Sequence, residues 1–223
     1  MLRAGTDRGC EPMTVSGPGN WVASLQRFAR DRRAAVEYCE LCSAPLRPDH
    51  PHLVEPAKRR LLCVCRGCDI LLGDCTDIRY RRVPRHSRML ENFLLKDAEW
   101  DALGIPIGLA FFQRTPGGRI VAFYPGPAGP TESLLELNAW SQLVANNPVL
   151  AEQKPDVEAL LVNRINGARE YYQIPIDRCY ALVGLIRRHW HGVSGGDEAW
   201  KAIADFMSDL RERKDETGAY HHG

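Results

Sequence analysis

Two thiol pairs, Cys39-Glu40-Leu41-Cys42 and Cys65-Arg66-Gly67-Cys68, stand on either side of an insert the length of one β-hairpin. No other feature of the chain restricts its local fold so strongly. A Cys-x-x-Cys pair wraps one ion from a tight backbone knuckle, and a second pair brought close by folding completes a tetrahedron. The expected ligands are therefore Cys39, Cys42, Cys65 and Cys68. A treble-clef-like module would hold them, with the first pair on the knuckle, the hairpin filling the insert and the second pair opening a helix. Asp69-Ile70-Leu71-Leu72 suits the start of such a helix. The free N–H groups at its N-terminus would favour thiolates. Arg59, Arg60 and Arg66 are placed to offset the negative charge that four thiolates leave on the ion.

Cys63 offers a competing edge, because Cys63-Val64-Cys65 also chelates. The spacing leaves either Cys63 or Cys65 as the third ligand. Zinc is the expected occupant, since four cysteines close its coordination sphere. Iron at the same cysteines is the alternative. A rubredoxin-type iron site would carry Gly after each pair, where this chain has Ser43 and Asp69, and an iron–sulfur cluster would employ the fifth cysteine.

Composition narrows the setting. The formal net charge of +1 points to neither nucleic acid nor a membrane surface as partner. The longest apolar run, around Leu109 to Phe112, is too short to span a bilayer. Residues 1–19 are rich in Gly, Pro, Ser and Thr and read as a disordered leader without a signal peptide's apolar stretch. A cytoplasmic, reducing location is expected, where thiols stay available for metal. Five of the eight cysteines fall at positions 39, 42, 63, 65 and 68, a clustering that favours metal over a disulfide framework. Cys10 reads as a bystander, Cys75 as a reserve ligand and Cys179 as core.

Along the chain, residues 20–78 read as an N-terminal helix (Trp21, Leu25, Phe28 and Ala29 at helical spacing) followed by the cysteine module. Residues 79–104 open with Arg79-Tyr80-Arg81-Arg82-Val83-Pro84-Arg85-His86-Ser87-Arg88, a solvated basic linker that could alternatively bind phosphate. Residues 105–213 read as an α+β domain. Strands Ile105–Gln113 and Arg119–Tyr124 flank the turn Thr115-Pro116-Gly117-Gly118, and Pro125 to Pro130 should end the second strand. A helix over Ala139–Asn146 is capped by Asn138. A second hairpin, Val157–Ile165 with Arg169–Ile176, turns at Asn166-Gly167. Asp177 should cap a helix buried through Cys179, Leu182, Val183, Ile186 and Trp190. After Gly195-Gly196, Asp197 should cap a last helix buried through Trp200, Ile203, Phe206, Met207 and Leu210. His189 and His191 read as helix-end groups, and residues 214–223 as a flexible tail. The fold class is α+β, an antiparallel sheet of two hairpins with helices on one face.

Asp49-His50-Pro51-His52 raises a nuclease alternative. HNH-type enzymes place an Asp-His pair between two cysteine pairs, the His activating water, with a cation-binding His or Asn on the following helix. No Asn occurs between Cys39 and Glu91, and the only later His in that span, His86, lies beyond the helix. His50 and His52 therefore read as a solvated turn, or as substitute metal ligands if a cysteine is spare.

Several segments carry a resemblance: Cys39 to Leu46, His52-Leu53, Leu61 to Cys68, Tyr80 to Pro84, Leu103 to Phe112, Pro155 to Arg164 and Ile186 to Trp190. Together they resemble an uncharacterised bacterial family, common in actinobacteria, encoded beside genes for uptake [NiFe]-hydrogenases. The likeness runs from Phe28 to Leu210, and five cysteines match. It implies a cytoplasmic accessory factor whose partner is a hydrogenase subunit or maturation factor. The expected function is non-enzymatic: a zinc-shaped protein that assists hydrogenase assembly by docking, or an electron carrier if iron binds. Phe111, Phe123 and Tyr124 would form the docking face if the second face of the sheet is open, and core if it is not.

Overall fold

The computed structural model describes residues 36–73, 79–115, 117–126, 129–133, 137–192 and 195–218. The expected leader, the N-terminal helix, Cys10, Cys75 and the last residues of the tail lie outside that set. Residues from Tyr38 onward form one compact unit.

Two antiparallel sheets organise it. The smaller contains β1 (His52–Glu55), β2 (Arg60–Cys63) and β3 (Arg81–Arg82) in the order β2-β1-β3. The larger contains β4 (Arg88–Met89), β5 (Leu109–Arg114), β6 (Ile120–Gly126), β7 (Gly129–Ser133), β8 (Glu158–Asn163) and β9 (Glu170–Pro175), in the order β4-β9-β8-β5-β6-β7. The helices are α1 (Arg66–Gly73), α2 (Asp97–Ala102), α3 (Leu137–Asn146), α4 (Ile176–His189) and α5 (Gly196–Gly218). Among the described residues no helix is long and apolar enough to cross a membrane.

The α+β class and both expected hairpins are present. β5 and β6 pair through Phe111↔Phe123 to Arg114↔Ile120. β8 and β9 pair in full across Asn166 and Gly167, whose φ angles are 52° and 79°. Positive φ at both positions is the conformation Asn-Gly tolerates at low cost. β6 does not stop before Pro125. It continues to Gly126 and pairs with β7, placing Pro125 opposite Pro130. Among the described residues the β5 ladder ends at Phe123, so at Pro125 the strand has one neighbour and a proline's missing donor interrupts no second ladder.

Period-two alternation sends the sheet's side chains to two separate cores. One face carries Leu109, Phe111, Ala159, Leu161, Tyr172 and Ile174, covered by α4 and α5 through Cys179, Leu182, Ile186, Ile203, Phe206 and Leu210. The other carries Ala110, Phe112, Ala122, Leu160, Val162 and Tyr171. The latter face is not open. Trp100 of α2, Trp140 and Leu143 of α3 and the loop residues Leu90, Phe93 and Leu95 cover it, so helices lie on both sides. Phe111 is fully buried and stacks on Phe123 at 5.2 Å, while Tyr124 packs against the second core. Phe111 is therefore core, whereas Phe123 and Tyr124 are partly buried on opposite faces of the sheet, so the three do not share one open face.

Some helix starts differ from the sequence reading. α3 begins at Leu137, which puts Asn138 inside it. α4 begins at Ile176 with Pro175 in the cap position, so Asp177 lies inside the first turn, where one carboxylate oxygen accepts from the Arg178 N–H at 2.8 Å. The other oxygen accepts from His52 at 2.9 Å. Trp200 is 38% exposed and sits 6.3 Å from Trp190, ring centre to ring centre, while Ala199 takes the buried position. His189 and His191 each approach Glu198, in the first turn of α5, to 3.8 Å.

The segment 79–104, expected as a linker, contributes β3, β4 and α2. Its arginines fold back onto the protein. Arg79 approaches Glu55 at 3.9 Å, Arg81 reaches Asp156 at 3.8 Å and Arg82 bonds Asp69 at 2.8 Å. Arg85 donates to the Asp49 carbonyl, and Arg88 donates to Gln173 at 2.7 Å. Each charge has a local acceptor, which accounts for the run without a phosphate.

The hairpin β1–β2 joins the cysteine module to the rest. Leu53 pairs with Leu62, and both point into a small core with Cys39 and Val64. Val54 pairs with Leu61, and these face the large core beneath α4. One ribbon is thus shared by two cores. Val54→Ala is expected to cost about 1.5–3 kcal/mol from lost apolar burial and to lower the melting temperature in a single transition for module and sheet together. Two resolved transitions in calorimetry would contradict this coupling.

Candidate metal centre

The knuckle is built locally. The Cys39 N–H donates to the Ala44 carbonyl and the Ser43 N–H to the Cys39 carbonyl, both at 2.8 Å. The turn requires a left-handed residue, and Ser43 supplies it with φ of 60°. Glu40 staples the knuckle to β2. Its backbone N–H donates to the Cys63 carbonyl at 3.0 Å, while its carboxylate accepts from the Cys63 N–H at 2.9 Å and from Arg60 at 2.7 Å. Arg60 therefore secures the knuckle through Glu40.

The second pair is set by α1. Cys65 directly precedes the helix and Cys68 lies in its first turn, so both sulfurs sit at the end where backbone N–H groups are free. The Cys68 N–H lies 3.5 Å from the Cys65 sulfur and donates to it. Arg82 of β3 fixes the helix by bonding both the carboxylate and the carbonyl of Asp69 at 2.8 Å. This clamp passes so close to Gly73 that a Cβ there would come within 2.8 Å of the guanidinium. Arg66 is exposed and lines a cleft of about 340 Å³ with Arg47, Arg85, His50 and Cys65. Arg59 sits after a 3₁₀ turn with φ of 50°, beside Tyr180 and Asp156. The Arg82–Asp69 clamp escaped sequence reasoning because it spans an intervening segment.

The four sulfurs of Cys39, Cys42, Cys65 and Cys68 all lie within 4.8 Å of one another. Those of Cys42 and Cys65 are 3.6 Å apart. A ZnS₄ tetrahedron with Zn–S near 2.3 Å has edges of about 3.8 Å. Cys63 does not join this group. As the last residue of β2 it points to the opposite face of the ribbon and groups with His50 and His52.

The sulfurs differ electrostatically. Burial pushes the Cys39 thiol up, but hydrogen bonds from the backbone of Cys65, Leu41 and Cys42 outweigh it and lower its pKa to about 6. At Cys42 the backbone of Ala44 favours the thiolate, but sharing protons with the Cys39 and Cys65 sulfurs leaves the pKa raised. Burial, followed by the neighbouring sulfurs, pushes the Cys68 thiol well above its usual range. One thiolate forms readily and obstructs the next. A cation at the centre removes that obstruction, so the donor set fits a thiophilic ion.

The nuclease alternative calls for a cation-binding His or Asn on the helix after the second pair, and α1 carries neither. Asp69, the acidic residue of α1, is held by Arg82, and the imidazole Nδ1 atoms of His50 and His52 are engaged with Arg47 and Asp177. Neither histidine stands in a solvated turn, since both are half-buried.

Fold and site together define an α+β protein with a treble-clef-like tetracysteine cluster packed on an antiparallel sheet. The chain belongs to the family of unknown function DUF5947, whose model matches residues 38–214. No curated protein and no solved structure matches it.

Ser43 gives the knuckle a direct test. Ser43→Gly should keep the metal and the fold, since glycine takes positive φ freely. Ser43→Val should be less stable than Ser43→Gly by about 1–2 kcal/mol, the cost of a left-handed conformation for a residue with a Cβ. Equal denaturation midpoints for the two variants would contradict the assignment.

Proposed function

We propose that the protein is a non-enzymatic zinc-binding accessory factor, in which a structural ion shapes a surface for docking a protein partner. The observation that carries this reading is the convergence of four sulfurs from a knuckle and a helix start, a set that fills a tetrahedral ion and leaves no position for substrate. Zinc is favoured over iron because the second pair lies on a helix, whereas a rubredoxin-type site pairs two knuckles. The resemblance to a family encoded beside hydrogenase genes supplies the proposed partner, a [NiFe]-hydrogenase subunit or maturation factor. Ile70 and Leu71 support docking near the site. They are 60% and 69% exposed on α1, the helix whose first turn the ion would hold.

Protein purified under reducing conditions and dialysed against a mild chelator should be colourless and retain one zinc per chain. Cys42→Ser should lose that ion and at least 2–3 kcal/mol of stability, because metal affinity in such modules is folding energy. Visible absorption with stoichiometric iron would replace this reading with the electron-carrier alternative. Wild-type zinc content and melting temperature in Cys42→Ser would remove the ligand set. Co-purification of the tagged chain from a hydrogenase-expressing host, compared with Ile70→Asp/Leu71→Asp, tests the partner.

A further inference from the structure

The opposite face of the β1–β2 ribbon holds a second group of donors. One ligand atom each from His50, His52 and Cys63 lies within 4.8 Å of the others. The ribbon creates this arrangement. His52 and Cys63 are direct cross-strand partners, and their side chains share one face. His50, two residues before His52, brings its ring to 4.8 Å from that of His52, tilted by 59°.

The outer contacts of the two imidazoles resemble those of metal-bound histidines. His52 Nδ1 lies 2.9 Å from the Asp177 carboxylate. His50 Nδ1 lies 2.9 Å from the Arg47 carbonyl. A carbonyl or carboxylate oxygen only accepts, so in each neutral ring Nδ1 carries the proton and Nε2 keeps its lone pair. A metal-binding histidine is characteristically oriented by this means, its second nitrogen donating to a carboxylate or backbone carbonyl. Asp177 makes this contact with one carboxylate oxygen while the other accepts from the Arg178 N–H in the first turn of α4.

We propose that His50 Nε2, His52 Nε2 and the Cys63 thiolate form a second transition-metal site, distinct from the tetracysteine centre. Two imidazoles and one thiolate suit a borderline divalent ion such as Zn²⁺. Three protein donors leave a fourth position for water or an exogenous ligand, unlike the closed four-sulfur set. Asp177 is a positioning residue. It belongs to the first turn of α4, so an ion here would tie the cysteine module to the helix that covers the large sheet.

The test is a competition titration of the full-length, reduced, metal-stripped chain with Zn²⁺ against a chromogenic chelator. The wild type should take up two equivalents, the second more weakly. His52→Ala and Cys63→Ser should each lose the second equivalent and keep the first, whereas Cys42→Ser should lose the first. Asp177→Asn should keep both stoichiometries while weakening the second about 10–100-fold, with an unchanged near-ultraviolet circular dichroism spectrum. If His52→Ala fails to fold, His52→Gln takes its place. A wild type that binds only one equivalent overturns the proposal. So does a second equivalent that persists in both His52→Ala and Cys63→Ser, or one that Asp177→Asn leaves at full affinity.

Discussion

The cysteine module is arranged around four sulfur atoms that meet at one point. The region between Tyr38 and Gly73 is short, and its own core is small: Cys39, Leu53, Leu62 and Val64 are its buried members. Such a core cannot hold a knuckle, a ribbon and a helix in register by apolar burial alone. Polar staples help. Glu40 ties the knuckle to β2, and Arg82 ties α1 to β3. Exposed or half-exposed ion pairs contribute about 0–1 kcal/mol each. The sulfurs are also poorly suited to remaining bare, since each proton lost from the cluster makes the next harder to remove.

The ribbon between the two cores converts this local device into a property of the whole molecule. Its inner face completes the cysteine module, and its outer face is part of the sheet domain's core. Anything that fixes the knuckle and helix therefore also fixes the outer face, including the positions of His52 and Cys63 against Asp177. This geometry explains why Cys63 and Cys65, so close in sequence, are separated in space. Cys63 obeys the alternation of a strand, while Cys65 has already turned into the helix.

Much of this was legible in the residues. Cys-x-x-Cys pairs, an Asn-Gly turn, a Pro-Gly-Gly turn and the helical stripe of Cys179, Leu182, Val183 and Ile186 are local signals, and local physics decides them. The failures lie where tertiary context decides. An arginine run looks like a solvated linker until its guanidiniums meet Glu55, Asp156, Asp69, Gln173 or the Asp49 carbonyl from distant segments. Pro125 looks like a strand end until the neighbouring ladder is seen to stop first. Asp177 looks like a cap, and only the folded ribbon delivers His52 to it. The covering of the second sheet face by Trp100 and Trp140 was likewise hidden, because those residues come from short elements with little periodicity.

X-ray absorption at the zinc edge, on chain loaded with a single equivalent, addresses the foundation most directly. Four sulfur scatterers at about 2.3 Å, with no nitrogen or oxygen in the shell, is the expected result. A shell with two or more light scatterers would show that the ion is held elsewhere, and the account of how this module folds would be contradicted.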